Sequence, residues 1–185
     1  MKIYTKKGDK GFTSLASGQK VKKDNCLVED IGSLDEFNSS LGFLLAEKNI
    51  SSADRQLLER AQNNCFFFGA VVAQANPKIL QSMREGFTEK DTVNLEKRID
   101  LLTAKLPPLK DFILPGGCEL AARAHLARAD CRKAERRLVG LNSEITDLAH
   151  EIRRYLNRLS DYLFTLARYS NSQAKLTDVI WRKGL

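Results

Sequence analysis

The chain has 185 residues, the size of one ordinary domain with a sizeable core, and its 43% hydrophobic against 29% charged residues exclude a disordered polymer. Lys and Arg number 30 against 23 Asp and Glu, and the net charge of +7 suits a polyanionic partner such as a nucleotide or a nucleic acid. No apolar run approaches the roughly 20 residues that cross a bilayer, and the opening MKIYTKKGDKG has no hydrophobic signal region, so no membrane partner and a cytoplasmic location are expected.

Residues 1–32 hold four glycines and seven lysines without an apolar helical repeat, and are expected to form a loop region, ordered or orderable. Within them, Thr5-Lys6-Lys7-Gly8-Asp9-Lys10-Gly11-Phe12-Thr13-Ser14 admits two readings. The glycines let successive N–H groups face an anion, with Thr5, Thr13 and Ser14 adding hydroxyl donors. Equally, Gly8-Asp9-Lys10-Gly11 is a plain hairpin turn. The GxxxxGK[ST] signature of a P-loop is absent.

Five amphipathic helices follow. Ser33-Leu34-Asp35-Glu36 reads as a capping box that starts the first, with Leu34, Phe37, Leu41 and Leu44 on its inner face. The second runs from about Ser52 to Gln74 and stops before Asn76-Pro77. Thr88 and Asp91 cap a third that reaches Leu102. The fourth spans Cys118 to Val139, after Phe112-Ile113-Leu114-Pro115-Gly116-Gly117. Ser143 or Thr146 starts the fifth, which runs to about Tyr169. The expectation is an all-α protein: a five-helix antiparallel bundle with β structure confined to the ends, in a single domain made of a 1–32 loop region, a 33–172 bundle and a 173–185 tail.

Cys26, Cys65, Cys118 and Cys131 form no CxxC pair, and His125 and His150 complete no metal pattern with them. Buried free thiols are expected rather than a zinc site or disulfides, and the histidines are read as satisfied structural residues. Met83, Trp181 and most phenylalanines are read as packing. On the fourth helix, Arg128, Arg132, Glu135 and Arg136 recur at spacings of three and four and share a face. Such a row presents forked donors to phosphate oxygens, or it is a solvated face of salt bridges. Asp35 and Asn38 near the start of helix one, with Asn157 and Asp161 on helix five, either line a site, cap a helix or face water.

Taken in order, the motifs Thr5…Gly8-Asp9-Lys10-Gly11…Thr13, Gly32-Ser33-Leu34-Asp35-Glu36-Phe37-Asn38, Phe112-Ile113-Leu114-Pro115-Gly116-Gly117, Arg128-x-x-x-Arg132-x-x-Glu135-Arg136 and Asn157-Arg158-Leu159-Ser160-Asp161 resemble the PduO-type ATP:corrinoid adenosyltransferases over nearly the whole chain. Lys7 departs from the family, where many members have Thr. The resemblance implies a homotrimer with ATP held between subunits, transferring the 5′-deoxyadenosyl group to cob(I)alamin. It implies that Thr5, Gly8, Asp9, Gly11, Thr13, Ser14 and Lys20 enclose the triphosphate, that Arg132, Glu135 and Arg136 belong to the nucleotide site, and that Asn157 helps place ATP and its Mg²⁺. It also implies that Asp35 and Arg128 form an inter-subunit salt bridge shaping the corrinoid pocket, and that Phe112 displaces the lower ligand of cobalt. A reductase and a B12-dependent acceptor enzyme are the implied partners, and a bacterial microcompartment is an alternative address. Two rivals stand beside this reading. A nucleic-acid-binding bundle is disfavoured because Asp130, Glu135 and Asp161 interrupt the basic surface. An ATP sensor without turnover would have no use for the corrinoid-side residues Asp35, Phe112 and Arg128.

Overall fold

A computed structural model describes residues 2–4, 6, 8–84, 86–140 and 146–184. The chain opens with a small antiparallel hairpin, β1 (Phe12–Ser14) and β2 (Lys20–Lys22), in the register Phe12 to Lys22 and Ser14 to Lys20. Leu15 and Val21 turn inward, and the N–H of Ser17 donates to the carbonyl of Ala73 at 3.3 Å, which ties the hairpin to the helical body.

Helix α1 spans Cys26–Leu45, so the expected start at Ser33 is corrected. Asn25 is the N-cap, its side chain accepting from the Leu27 N–H at 2.9 Å, which satisfies a donor the helix itself cannot. Ser33 lies buried inside the helix and donates to the Asp30 carbonyl, while Glu36 reaches out to Lys133. Residues 26–32, expected as loop, are therefore helical. Helix α2 spans Ser52–Val72, capped by Ser51. Pro77 then opens a short helix α3 (Pro77–Arg84) that was not expected, because proline fits the first helical position as readily as it ends a helix.

Helices α4 (Glu89–Thr103), α5 (Glu119–Leu138) and α6 (Thr146–Gln173) complete the body. Thr88 and Asp91 form the expected capping box of α4. The alternative start of α6 at Ser143 lies outside the described residues, and its C-terminal end extends past Tyr169.

Cross-helix pairs fix the directions. Along α1 and the turn that follows it, Glu29, Glu36 and Glu47 meet Arg137, Lys133 and Arg123 of α5 in descending order, so these helices are antiparallel. Asp54 with Arg98 and Asp91 with Arg60 show the same for α2 and α4. Glu89 with Arg154 and Glu96 with Arg158 ascend together, so α4 and α6 run side by side in the same direction. The chain is thus mostly helical, and the parallel pair, α4 and α6, are the third and fifth of the five expected helices, as alternation along the chain requires.

Phe37, Leu41, Leu44, Leu58, Phe68, Leu156, Leu159 and Tyr162 lie wholly buried at the centre. Each contributes about 2 kcal/mol through removal of apolar surface from water. Phe68, Phe87 and Tyr155 add edge-to-face contacts with centroids 5.0–5.8 Å apart.

Candidate functional site

The basic face of α5 divides into two sets. Arg123, Lys133 and Arg137 each pair with an acid of α1 or of the turn after it: Glu47 at 3.1 Å, Glu36, and Glu29 at 3.6 Å. Arg128, Arg132 and Arg136, the row at four-residue spacing, pair with no carboxylate among the described residues. The solvated salt-bridge reading therefore describes the first set only.

Arg128 is half-buried, with its guanidinium 6.0 Å from the centroid of the Phe164 ring and its Nε out of water with no hydrogen-bond partner among the described residues. Burial, and then the neighbouring Arg132, push its pKa below the usual arginine value. Arg132 and Arg136 are exposed. Glu135 is half-buried and accepts a hydrogen bond from Asn157 Nδ2 at 3.2 Å, so α5 and α6 bring these two predicted residues together.

At the same end of the bundle lies an open cleft of about 850 Å³, lined among others by Cys26, Asp30, Phe68, Val72, Arg136 and Arg137. Ala73, which anchors the hairpin, neighbours the cleft residues Val72 and Gln74, so the lysine-rich N-terminal segment sits at this end too. There Gly8 to Gly11 form a turn closed by the Gly11 N–H on the Gly8 carbonyl at 3.1 Å, and Gly11 adopts φ 77°, open to glycine at no steric cost. Gly8 packs beside the Lys23 side chain. Asp9, Ser14 and Lys20 are exposed and Thr13 is half-buried; the Lys20 ammonium lies 4.8 Å from the Phe12 ring centroid. The structure gives the hairpin reading of the glycine segment: a turn feeding a hairpin, with Asp9, Ser14 and Lys20 accessible. Thr5 lies outside the described residues.

Asp35 and Arg128 do not meet within the chain. Asp35 is exposed in the interior of α1 and makes no ion pair there, so it neither caps its helix nor neutralises Arg128. Phe112 is also exposed, at 81%, on the loop that precedes α5. From the start of α5, Arg128 and Arg132 lie roughly 15 and 20 Å along the axis at about 1.5 Å per residue, so the row and Phe112 mark out an extended surface rather than a compact catalytic cluster.

Comparison with known proteins decides the family. The family model described as cobalamin adenosyltransferase matches residues 3–170. The chain belongs to the cobalamin adenosyltransferase family. It is 42% identical over 181 residues to the corrinoid adenosyltransferase PduO of Citrobacter freundii, covering 97% of this chain and 53% of that protein, so the chain spans about half the length of that relative. It is 40% identical over 186 residues to a corrinoid adenosyltransferase of Bacillus subtilis, covering 99% of this chain and 93% of that one. Among solved structures it resembles an F112A variant of the PduO-type ATP:corrinoid adenosyltransferase of Lactobacillus reuteri complexed with cobalamin and ATP, with 37% identity, TM-score 0.84, 98% coverage of this chain and 100% of the other.

Several features of this family member escaped the sequence. His125 is buried, packs on Phe164 at 6.0 Å between ring centroids and has neither ring nitrogen hydrogen-bonded among the described residues, which corrects its reading as a satisfied residue. Burial first, and Arg128 second, favour its neutral form. Cys26 is exposed and Cys118 half-exposed, so only Cys65 and Cys131 fit the expected buried thiols; all four are free. Trp181, read as packing, is 50% exposed, and its N–H donates to the Phe112 carbonyl at 2.7 Å. No local pattern announces a contact so distant in sequence. No helix among the described residues is long and apolar enough to cross a membrane.

Proposed function

We propose that this chain transfers the 5′-deoxyadenosyl group of ATP to cob(I)alamin, giving adenosylcobalamin and triphosphate. The observation that carries the reading is the unpaired Arg128/Arg132/Arg136 row beside the Glu135–Asn157 hydrogen bond, on a helix whose other basic residues are neutralised. Cationic side chains left without partners next to an accessible glycine- and lysine-rich hairpin suit a polyphosphate.

In the reaction, the electron pair of Co(I) forms the Co–C5′ bond while the C5′–O bond breaks and its electrons leave with triphosphate. No protein group has to carry a proton. The chain supplies alignment and positive charge for the departing anion: Arg132 and Arg136 hold phosphate oxygens, Gly8, Asp9, Gly11, Thr13, Ser14 and Lys20 close over the triphosphate, and Thr5 extends that segment. Asn157 and Glu135 would flank a Mg²⁺ carried by the ATP phosphates, and that ion would offset part of the phosphate charge.

Asp35 and Arg128 make no ion pair among the described residues, and a second copy supplies their partners: an exposed acid on one subunit meets the half-buried, depressed guanidinium of the next, within a homotrimer. The exposed Phe112 ring presses on the lower face of the corrinoid, displaces its axial ligand and eases one-electron reduction of cob(II)alamin by a separate reductase. A B12-dependent enzyme takes up the product, and the cytoplasm is the setting.

The test is anaerobic incubation of the purified protein with ATP, Mg²⁺ and chemically reduced cob(I)alamin, with corrinoid absorbance and triphosphate followed together. Adenosylcobalamin with intact triphosphate is expected. ATP binding without a cobalt–carbon bond would leave only a sensor, and failure to bind either ligand would remove the activity.

A further inference from the structure

The loop that carries Phe112 is pinned from two sides. Asn171, buried at 3% exposure, donates Nδ2 to the Gly116 carbonyl at 3.1 Å and to Asp178 Oδ1 at 3.3 Å, while its own oxygen accepts from the Cys118 N–H at 3.0 Å. Arg168, 7% exposed, donates Nε to Asp178 Oδ2 at 2.8 Å and Nη2 to the Pro107 carbonyl at 3.0 Å. Both ends of the segment 107–118 are therefore tied to one polar cluster on α6, and Asp178 joins its two members.

Past Asp178 the chain runs back along the loop. The Leu114 N–H donates to the Val179 carbonyl at 2.8 Å, Ile113 and Ile180 form an antiparallel bridge, and the Trp181 N–H donates to the Phe112 carbonyl at 2.7 Å. The backbone of Phe112 is thus hydrogen-bonded into a two-stranded strap whose other strand is anchored at Asp178. Its ring nevertheless stays 81% exposed and buries little of its own apolar surface. So much restraint on the backbone of a residue that adds nothing to the core is otherwise without purpose.

We infer that Arg168, Asn171 and Asp178 are positioning residues for Phe112, holding the 179–181 strand so that the exposed ring stands at a fixed height against the lower face of the corrinoid. The inference rests on the reading of Phe112 given above. A ring on a yielding loop would retreat when pushed by an axial ligand, whereas a ring on a pinned backbone converts corrinoid binding into displacement of that ligand.

The experiment uses the full chain with Asp178→Ala, Asp178→Asn, Trp181→Pro and, as control, Phe112→Ala. ATP affinity is measured by calorimetry, and the four-coordinate cob(II)alamin fraction formed with ATP by electron paramagnetic resonance. Asp178→Ala should leave ATP affinity within about twofold and transfer from preformed cob(I)alamin within about threefold. It should lower the four-coordinate fraction about fivefold or more, with turnover from cob(II)alamin plus reductant falling in step. Asp178→Asn, which keeps an acceptor for Arg168, should recover most of the signal. Trp181→Pro removes the N–H bonded to Phe112 together with the half-exposed indole, and should reproduce the loss even where Asp178→Ala folds poorly. A wild-type four-coordinate fraction in Asp178→Ala or Trp181→Pro, with Phe112→Ala lacking the signal, overturns the inference. Retention of the signal in Phe112→Ala overturns the reading of Phe112 itself.

Discussion

Arg98 grips the buried carboxylate of Asp54 with both arms of its guanidinium, Nε at 2.8 Å and Nη2 at 2.6 Å, and joins α4 to α2 at the base of the bundle. Tyr162 of α6 donates to the same carboxylate at 2.9 Å, so three helices meet on one acid. Burial alone would raise the Asp54 pKa, but the hydrogen bonds from Arg98, Ser51 and Tyr162 outweigh it and hold the group below its ordinary 3.8. A carboxyl depressed on folding contributes stability that is full above its unfolded pKa and is lost as pH falls through the folded one. Stability measured by urea unfolding should therefore hold above about pH 5 and decline below about pH 4. Asp54→Ala, which strands Arg98 and the Tyr162 hydroxyl, should cost about 3 kcal/mol at neutral pH and flatten that acid limb.

Gly117 owes its identity to Asn171. It sits at φ 111°, and a Cβ there would fall 2.0 Å from Asn171 Oδ1, the atom that accepts from Cys118 N–H at the start of α5. Gly117→Ala should therefore cost about 2–3 kcal/mol from strained backbone and the lost cap. Asn171→Ala removes the obstruction, so the double variant should be less destabilised than the sum of the singles, with a coupling of about 1 kcal/mol in a denaturant double-mutant cycle. Strict additivity would mean that the two residues do not meet.

How much of this was legible in the sequence depended on distance along the chain. Helices α2, α4 and α5 announced themselves through Asn76-Pro77 after the first, Thr88 with Asp91, and the glycines before Cys118, because caps and breakers act within a few residues. The start of α1 was hidden because Asn25 sits among lysines while Ser33 and Glu36 imitate a capping box. The spacing of Arg128, Arg132 and Arg136 was visible, but their lack of partners was not, since it depends on which acids α1 presents to α5. The Arg168–Asp178 and Asn171–Gly116 contacts join segments that no local pattern relates.

The four thiols should react in an order set by burial. Cys26 is exposed beside the cleft, whereas Cys65 is buried with its pKa pushed up to about 12 by desolvation, and Cys131 is fully enclosed with its thiol donating to the Leu156 carbonyl at 3.3 Å. Alkylation near pH 8 followed by peptide mass analysis should label Cys26 first, Cys118 more slowly, and Cys65 and Cys131 only on unfolding. Saturating ATP should slow Cys26, since phosphate held by Arg136 would cover the cleft that both residues line. Labelling of Cys26 unchanged by ATP would place the nucleotide elsewhere.

Arg132 offers the sharpest separation of function from folding. It is exposed and makes no ion pair or side-chain hydrogen bond among the described residues, so removing it leaves no buried partner behind. Arg132→Ala should alter unfolding free energy by no more than about 0.5 kcal/mol. If its forked donors hold the departing triphosphate, the same change should lower kcat about 100-fold or more, the scale of losing one well-placed donor to a developing anion. Sedimentation alongside single-turnover transfer from cob(I)alamin distinguishes the outcomes. An intact assembly with a slow chemical step assigns Arg132 to the leaving group, whereas a dissociated assembly would make it an interface residue, and normal transfer would remove it from the site.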